Sequence, residues 1–343
     1  MDGFEDSSVA TRPQWSVGQA AELARERYGL DGEATELPSE RDQNFKIATA
    51  DGETFVLKIS NPAEDRRILE LQDAALRHLR SDGVDRGTPE PIPAGGETIL
   101  AADGADGTSH HVRLLSWVPG EPLAKIRDHD GLLEPIGHFL AELDRRLAGF
   151  EHPAAEREFY WDLRCGLDVA KRYAPEIADP GRRKRVDRWI AGIAEHRRLL
   201  ESLPRQVIQG DANDYNILID RMVAEPTIGL IDFGDMGRSW RVADLAILLA
   251  YAMLHKTDSL SVAARIVGAY HGVLPLDENE IEALFPLVRL RLCTSVALAA
   301  YHRRRAPDNT YLTVTENPAW ELLDALDAVD SKQALDMFCK ETS

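Results

Sequence analysis

The chain has 343 residues, enough for two domains or one two-lobed enzyme, and its 44% hydrophobic content can fill a sizeable core. A formal net charge of −18 argues against nucleic acid as a main partner, because a phosphate backbone needs a basic footprint, and it suits a cationic substrate. No run of about 18 apolar residues announces a membrane span, and Cys165, Cys293 and Cys339 are too few and too scattered for a disulfide framework or a Cys-rich zinc site, which fits a reducing cytoplasm.

The opening stretch MDGFEDSSVATRPQW is acidic and polar, without the basic-then-apolar layout of a signal peptide, and reads as a flexible tail over residues 1–15. Ser16 followed by Gln19 forms a capping box that starts a first helix. A strand near EATEL and two β-prone segments flanking Asp51-Gly52 make a three-stranded meander. Residues 64–80 carry Leu69, Leu76 and their neighbours at helical spacing. A second hairpin, again with Asp-Gly at its tip, ends in HHVRLLSWV, where the adjacent His110 and His111 point to opposite strand faces and cannot easily share a metal.

Pro119-Gly120 breaks this pattern, so the first lobe is placed at residues 16–118 and a second, mainly helical one at residues 119–343. Amphipathic helices are expected over 132–150, 187–203, 241–254 and 285–305, with two short β-type runs, NILID and TIGLIDF, between the second and third. The fold class is α+β: a small five-stranded antiparallel lobe and a larger helical lobe, with a ligand site expected in the cleft between them.

The stretch GDANDYNILID poses the functional question. Bunched Asp and Asn residues between apolar runs suit a turn. They also make the pattern D-x-x-x-x-N, with Asp211 and Asn216 five apart and Asp232 sixteen residues further on, before Phe233-Gly234. Phosphoryl transfer needs such a set: one carboxylate to take the acceptor hydroxyl's proton, and an amide oxygen with a second carboxylate to hold Mg²⁺ against nucleotide phosphates. A hairpin between the two runs would bring Asn216 and Asp232 together. Lys58, in the apolar strand TFVLKIS, points away from Phe55, Leu57 and Ile59 and is a candidate phosphate cation; Glu70, in the next helix, could pair with it.

The motifs VLKI, ILEL, GDANDYNIL, LIDFGD and VADLAILLAY resemble the aminoglycoside phosphotransferase and choline kinase superfamily, small-molecule relatives of protein kinases, from about residue 16 to 340. NDYNILI, DFGDMGRSW and PDNTYLTVTENPAW are similar to its hydroxylysine-kinase-like branch. The resemblance implies Asp211 as catalytic base and Asn216 and Asp232 as Mg²⁺ ligands. It implies Lys58, paired with Glu70, on the phosphates of ATP or GTP. The loop over residues 39–45, including Ser39, Gln43 and Asn44, would cover the phosphates, and the linker from Ser116 to Val118 would meet the purine. Asp244 would brace the catalytic loop. Two departures stand out: Gln209 occupies a position where the family usually has His, and the phosphate-covering loop lacks G-x-G-x-x-G.

The acceptor implied is a small cationic or zwitterionic molecule, an amino alcohol or hydroxylated amino acid. Its ammonium needs a carboxylate, for which Asp214, Asp235 and Asp162 are candidates. Trp161, Tyr215 and Trp320 could pack on it, and Arg238, Arg289 or Arg291 could clamp a substrate carboxylate. Two other readings remain open at this point: an aminoglycoside-type antibiotic kinase, and a nucleotide-binding module without catalysis, for which Gln209 is the only sequence support.

Overall fold

A computed structural model describes residues 12–39, 41–81, 83, 87–126, 130–223, 225–305 and 315–342. Residues 1–11 of the expected tail, residue 40 of the phosphate-covering loop and residues 307–314 of the branch-specific stretch lie outside the described residues. The chain divides into two compact units, Met1–Pro119 and Gly120–Ser343.

In the first unit, helix α1 (Val17–Tyr28) starts at a complete Ser16–Gln19 capping box. An antiparallel sheet runs in the order β1 (Gly32–Leu37), β2 (Gln43–Thr49), β3 (Thr54–Ile59), β6 (Ser109–Ser116), β4 (Pro91–Ile92), and β5 (Leu100–Asp103) also pairs with β6. Helix α2 (Arg66–Leu79) lies between β3 and β4 in sequence. The sheet has six strands rather than the five expected. The extra one is two residues long, too short to show an alternating pattern, and its Pro91 is tolerated because the strand lies at an edge. Alternation along the long strands puts Phe45, Ile47, Leu57, Ile59, Val112 and Leu114 on one face, packed with Ala20, Leu23 and Ala24 of α1.

Part of the expected tail is tied to this sheet. Gln43 Oε1 accepts the Trp15 N–H (2.7 Å) and its Nε2 donates to the Trp15 carbonyl (2.9 Å), while Arg12 reaches Glu36 Oε1 at 2.9 Å. Residues 12–15 are therefore anchored, because the Gln43 amide offers them a donor and an acceptor as a neighbouring strand would.

The second unit begins with β7 (Glu121–Pro122), followed by α3 (Leu133–Leu147), α4 (Leu163–Tyr173), α5 (Pro180–Glu195) and α6 (Arg197–Ser202). Four short strands come next: β8 (Arg205–Ile208), β9 (Ile217–Asp220), β10 (Thr227–Leu230) and β11 (Gly237–Trp240). They form a β10–β9–β7 sheet and a β11–β8 pair. Gly120 lets β7 approach β9: its φ is +124°, and a Cβ there would sit 2.8 Å from the Ile219 carbonyl carbon. The chain then runs through α7 (Val242–Ala252), α8 (Ser259–Val273), α9 (Glu278–Arg305), α10 (Glu316–Leu326) and α11 (Ser331–Glu341).

Every residue of α7 is buried, and α9 packs against α4, α5, α7, α10 and α11. By length and composition α9 passes as a membrane span, yet 94% of its apolar window is buried within the protein, so it is the core helix of this unit.

Candidate active site

The catalytic loop is held from both ends by strand pairing. Antiparallel β9 and β10 place Ile217 opposite Leu230, and the ladder continues one step further: the Ile231 N–H donates to the Asn216 carbonyl at 3.0 Å. Asn216 and Asp232 are thus brought together across the hairpin. At the other end β8 pairs with β11, Ile208 opposite Gly237, so the residues after β8 run beside the segment that follows Asp232. Gly210 permits this approach, because its φ is +84° and a Cβ would lie 2.4 Å from the Asp235 carbonyl oxygen.

Gln209 ties the loop together. Its Oε1 accepts the Asp211 N–H (2.8 Å) and its Nε2 donates to the Asp232 carbonyl (2.5 Å). One amide thus supplies the acceptor and the donor that bracing requires, which explains how Gln serves where His is usual. Asp244, on the first turn of α7, accepts the N–H groups of Gln209 (2.9 Å) and Gly210 (2.7 Å). Asn213 closes the turn, its Oδ1 accepting the N–H groups of Tyr215 and Asn216 at 2.8 and 3.0 Å. The turn and the chemistry suggested by GDANDYNILID therefore coexist in one loop.

The Asp211 carboxylate is fixed by three donors. Arg291 Nη2 meets Oδ1 at 2.7 Å, and the side-chain amides of Asn213 and Asn216 meet Oδ2 at 2.9 and 2.8 Å. Burial raises its pKa, the Arg291 guanidinium pulls it down, and neighbouring Asp235 and Asp232 push it up. Arg291 lies in α9 and is 2% exposed; it also donates to the Tyr251 hydroxyl and the Trp161 carbonyl, and sits 4.3 Å from the Trp161 ring centroid. Sequence reasoning named Arg291 only as a substrate clamp. The signal for its real position was a cation inside an apolar helix, which must find a buried partner.

Asn216 Nδ2 donates to both the carbonyl and Oδ2 of Asp211. With its amide hydrogens committed, Oδ1 is the atom left to bind a cation. Asp232 adopts φ +58°, a left-handed conformation that Asp tolerates better than most residues, and is exposed. One amide oxygen and one carboxylate, with no cluster of three or more His, Cys, Asp or Glu among the described residues, fit Mg²⁺, which keeps waters and binds phosphates rather than a full protein cage.

Of the acceptor candidates, Asp214 and Asp235 are buried at 8% exposure each. Burial pushes Asp214 up to about 7. Asp235 lines a small cavity with Phe159, Trp161, Leu163, Gly210 and Ile247. Four candidates are committed elsewhere. Asp162 caps α4 and accepts the Ser239 hydroxyl at 2.6 Å; Arg238 pairs with Glu151 and Glu156 at the surface. Trp320 is a core residue, 2% exposed, with Arg182 over its ring. Arg238 and Trp320 therefore do not join the site as expected, because near ion pairs and core packing take them up. Arg289 likewise binds the carbonyls of Leu326 and Val329, at the end of α10.

In the first unit Lys58 is 8% exposed, in register with Asn44 on β2 and Arg113 on β6. The expected Lys58–Glu70 pair is not made: Glu70 Oε1 takes Arg66 Nε at 3.0 Å, an i,i+4 pair on the exposed side of α2. The same helix turns Gln72 and Asp73 inward, where Arg113 meets them at 2.7 and 2.9 Å. Gln43 is spent on Trp15, as above, and Ser116 on Glu90, whose N–H its Oγ accepts at 2.8 Å. Ser39 and Asn44 are half-buried and Val118 is buried.

An antiparallel sheet unit followed by a helical unit carrying this loop defines a kinase-like α+β fold. The structure of a microcompartment-associated aminopropanol kinase matches it with a TM-score of 0.72, over 92% of this chain and 98% of that one, at 19% identity. Residues 33–284 match the model of the phosphotransferase enzyme family, and the chain belongs to that family. Among characterised relatives it is 32% identical to hydroxylysine kinase of Danio rerio, over 93% of this chain and 94% of that protein. It is 30% identical to hydroxylysine kinase of Mus musculus, over 93% and 91%.

Proposed function

We propose that this enzyme transfers the γ-phosphoryl group of ATP or GTP to the hydroxyl of a small amino alcohol or hydroxylated amino acid of the hydroxylysine type. The observation that carries the reading is Asp211 itself: a carboxylate fixed by Arg291, Asn213 and Asn216, in a loop whose Asn216 sits across a strand pair from Asp232. The relatives that cover nearly the whole chain are hydroxylysine kinases, and the matching fold includes an aminopropanol kinase.

In the reaction, Asp211 accepts the proton of the acceptor hydroxyl. The oxygen bonds to the γ-phosphorus, and the bond from that phosphorus to the bridging oxygen breaks, releasing ADP or GDP. Asn216 Oδ1 and Asp232 would hold Mg²⁺, which would supply positive charge against that of the phosphates. Lys58 is assigned to phosphate oxygens. Gln209 and Asp244 keep the loop in place. Gln209 fills its bracing role, so nothing in the loop favours a non-catalytic module, and the acceptors of the close relatives do not favour an antibiotic.

The test is direct. The protein is incubated with Mg²⁺, ATP or GTP, and hydroxylysine, ethanolamine, choline, homoserine or an aminoglycoside in turn, and ³¹P NMR is read for a phosphomonoester. The expected result is a new peak with hydroxylysine. Nucleotide binding with no peak for any acceptor would overturn the assignment.

A further inference from the structure

We propose that Arg157 is a positioning residue for the metal site: by donating to the Gly234 carbonyl it holds the turn that presents Asp232. The inference deepens the kinase reading above and rests on its assignment of Asp232 to Mg²⁺.

The starting point is a conformation that needs holding. Asp232 has φ +58°, in the left-handed region, which a residue other than glycine keeps through its surroundings. The contacts that fix it can be followed one by one. The Asp232 carbonyl accepts Gln209 Nε2 at 2.5 Å, from the catalytic loop. Asp232 Oδ1 accepts the Gly234 N–H at 3.1 Å, so the orientation of the carboxylate is tied to Gly234. The Phe233 carbonyl accepts the Met236 N–H at 3.3 Å, which closes the turn. Gly234 has no side chain to anchor this turn, and its carbonyl is held from outside: Arg157 Nη2 donates to it at 2.7 Å across 77 residues of sequence. A guanidinium N–H on a carbonyl is a charge-assisted bond, stronger than a neutral pair.

Arg157 is itself braced. It is half-buried, in the segment that leads into α4, and its guanidinium lies 4.2 Å from the Phe159 ring centroid. Its carbonyl accepts Arg164 Nη2 at 3.2 Å, and Arg164 pairs with Asp162 at 2.8 Å. Asp162 in turn accepts the Ser239 hydroxyl of β11 at 2.6 Å. The segment before α4 therefore meets the chain after Asp232 at two points, Gly234 and Ser239. A planar fork already stacked on a ring loses little freedom in making the first of these contacts. Arg157 is also a cation acting on a cation site, and this gives the inference a sign. By charge alone, removing it would make a nearby Mg²⁺ bind more tightly. If the contact positions Asp232, removing it makes the metal bind more weakly.

The experiment compares wild type with Arg157→Met, which keeps the bulk of the side chain without its donors, and Arg157→Lys, which keeps the charge and an N–H donor. Electron paramagnetic resonance measures binding of Mn²⁺, standing in for Mg²⁺, with ADP saturating. The Met variant is expected to bind Mn²⁺ about 10-fold more weakly than wild type, the size of one lost charge-assisted hydrogen bond, and the Lys variant within about 3-fold. In parallel, the Mg²⁺ concentration for half-maximal rate should rise about 10-fold in the Met variant, while ADP affinity in EDTA, acceptor KM and kcat at saturating Mg²⁺ each stay within about 3-fold. Thermal melting checks folding, and Arg157→Gln, polar but shorter, is read by the same criteria should the Met variant not fold. Unchanged or tighter Mn²⁺ binding in the Met variant, or equal losses in metal, nucleotide and acceptor binding, would overturn the inference. A weaker metal site in the Met variant of a protein that phosphorylates none of the acceptors above would instead count against the proposed reaction and leave the Arg157 assignment standing.

Discussion

Arg291 and Asp211 form a buried ion pair, 2.7 Å from Nη2 to Oδ1, that joins core helix α9 to the catalytic loop across 80 residues of sequence. The guanidinium is anchored on its other sides by the Trp161 carbonyl and the Tyr251 hydroxyl, so it holds one oxygen of the base in place while two amides hold the other. Arg291→Met should therefore act on rate and stability together. Removing one partner of a buried pair costs roughly 3–5 kcal/mol, and an Asp211 without its cation is a misplaced, more readily protonated base. Arg291→Lys keeps charge but loses the stacking on Trp161 and the planar fork, and should fall between. Denaturant melts and kcat on the same preparations check this; an unchanged kcat in Arg291→Met would remove Arg291 from the positioning of Asp211.

Asp211→Asn tests the base itself. An Asn in that place still offers an oxygen to Arg291, but its NH₂ then faces the donor amides of Asn213 and Asn216, and it takes no proton. The expected outcome is a fall in kcat of about 10²–10⁴-fold, the usual contribution of a positioned general base, with nucleotide affinity within about 3-fold. Single-turnover rates and equilibrium nucleotide titration separate the two quantities.

Gln209 gives a graded test of bracing. Replacing it by Ala deletes an acceptor for the Asp211 N–H and a donor to the Asp232 carbonyl, leaving buried groups unpaired. At about 1 kcal/mol or more for each, kcat should drop on the order of 10-fold. Gln209→His can restore one or both contacts and should lie within a few-fold of wild type. If Ala and His variants matched wild type, the loop would be held without this residue.

The loop residues were legible in sequence because they are contiguous: D-x-x-x-x-N is spaced by one turn, and the return to Asp232 is a single hairpin whose register follows from two apolar runs. The strand face that Lys58 takes was legible because alternation fixes it. The partners supplied by the tertiary fold were not. Arg291 looks like any arginine until α9 is packed, and Arg113 takes Asp73 and Gln72 from α2 while Glu70 turns outward to Arg66. Arg238 and Trp320 were misread for the same reason, since charge and aromaticity near a motif say nothing about what already occupies them. Arg238→Ala should leave acceptor KM within about 2-fold and cost less than about 1 kcal/mol, as exposed ion pairs do. Trp320→Ala should lower stability by about 3–5 kcal/mol, as buried aromatics do. Acceptor kinetics and denaturation curves for the two variants decide this.

Asp144 shows how far behind the loop its support extends. It lies in α3, buried, with Tyr270 donating to its Oδ2 at 2.6 Å and Asp244, the brace of the loop, as its neighbour. Burial pushes Asp144 well above the usual carboxylate range, and the Asp244 charge adds to this; Asp244 is itself raised, chiefly by burial, against the pull of the Gly210 and Gln209 N–H groups. Arg241, the cation whose charge acts against this rise, is already committed to Glu280. The folded protein therefore holds a proton at this pair to higher pH than the unfolded chain, which releases it near pH 4. Because the folded state then binds more protons, the stabilisation is complete below the unfolded pKa and is lost as pH rises through the folded one, with a slope approaching ~1.4 kcal/mol per pH unit for one retained proton. Asp144→Asn donates to Asp244 and accepts from Tyr270 without titrating. Its stability should therefore fall less than that of wild type between pH 5 and 9, and its activity should persist further into alkali. Denaturant unfolding across that range is the measurement, and parallel stability curves for the two proteins would show that Asp144 holds no proton.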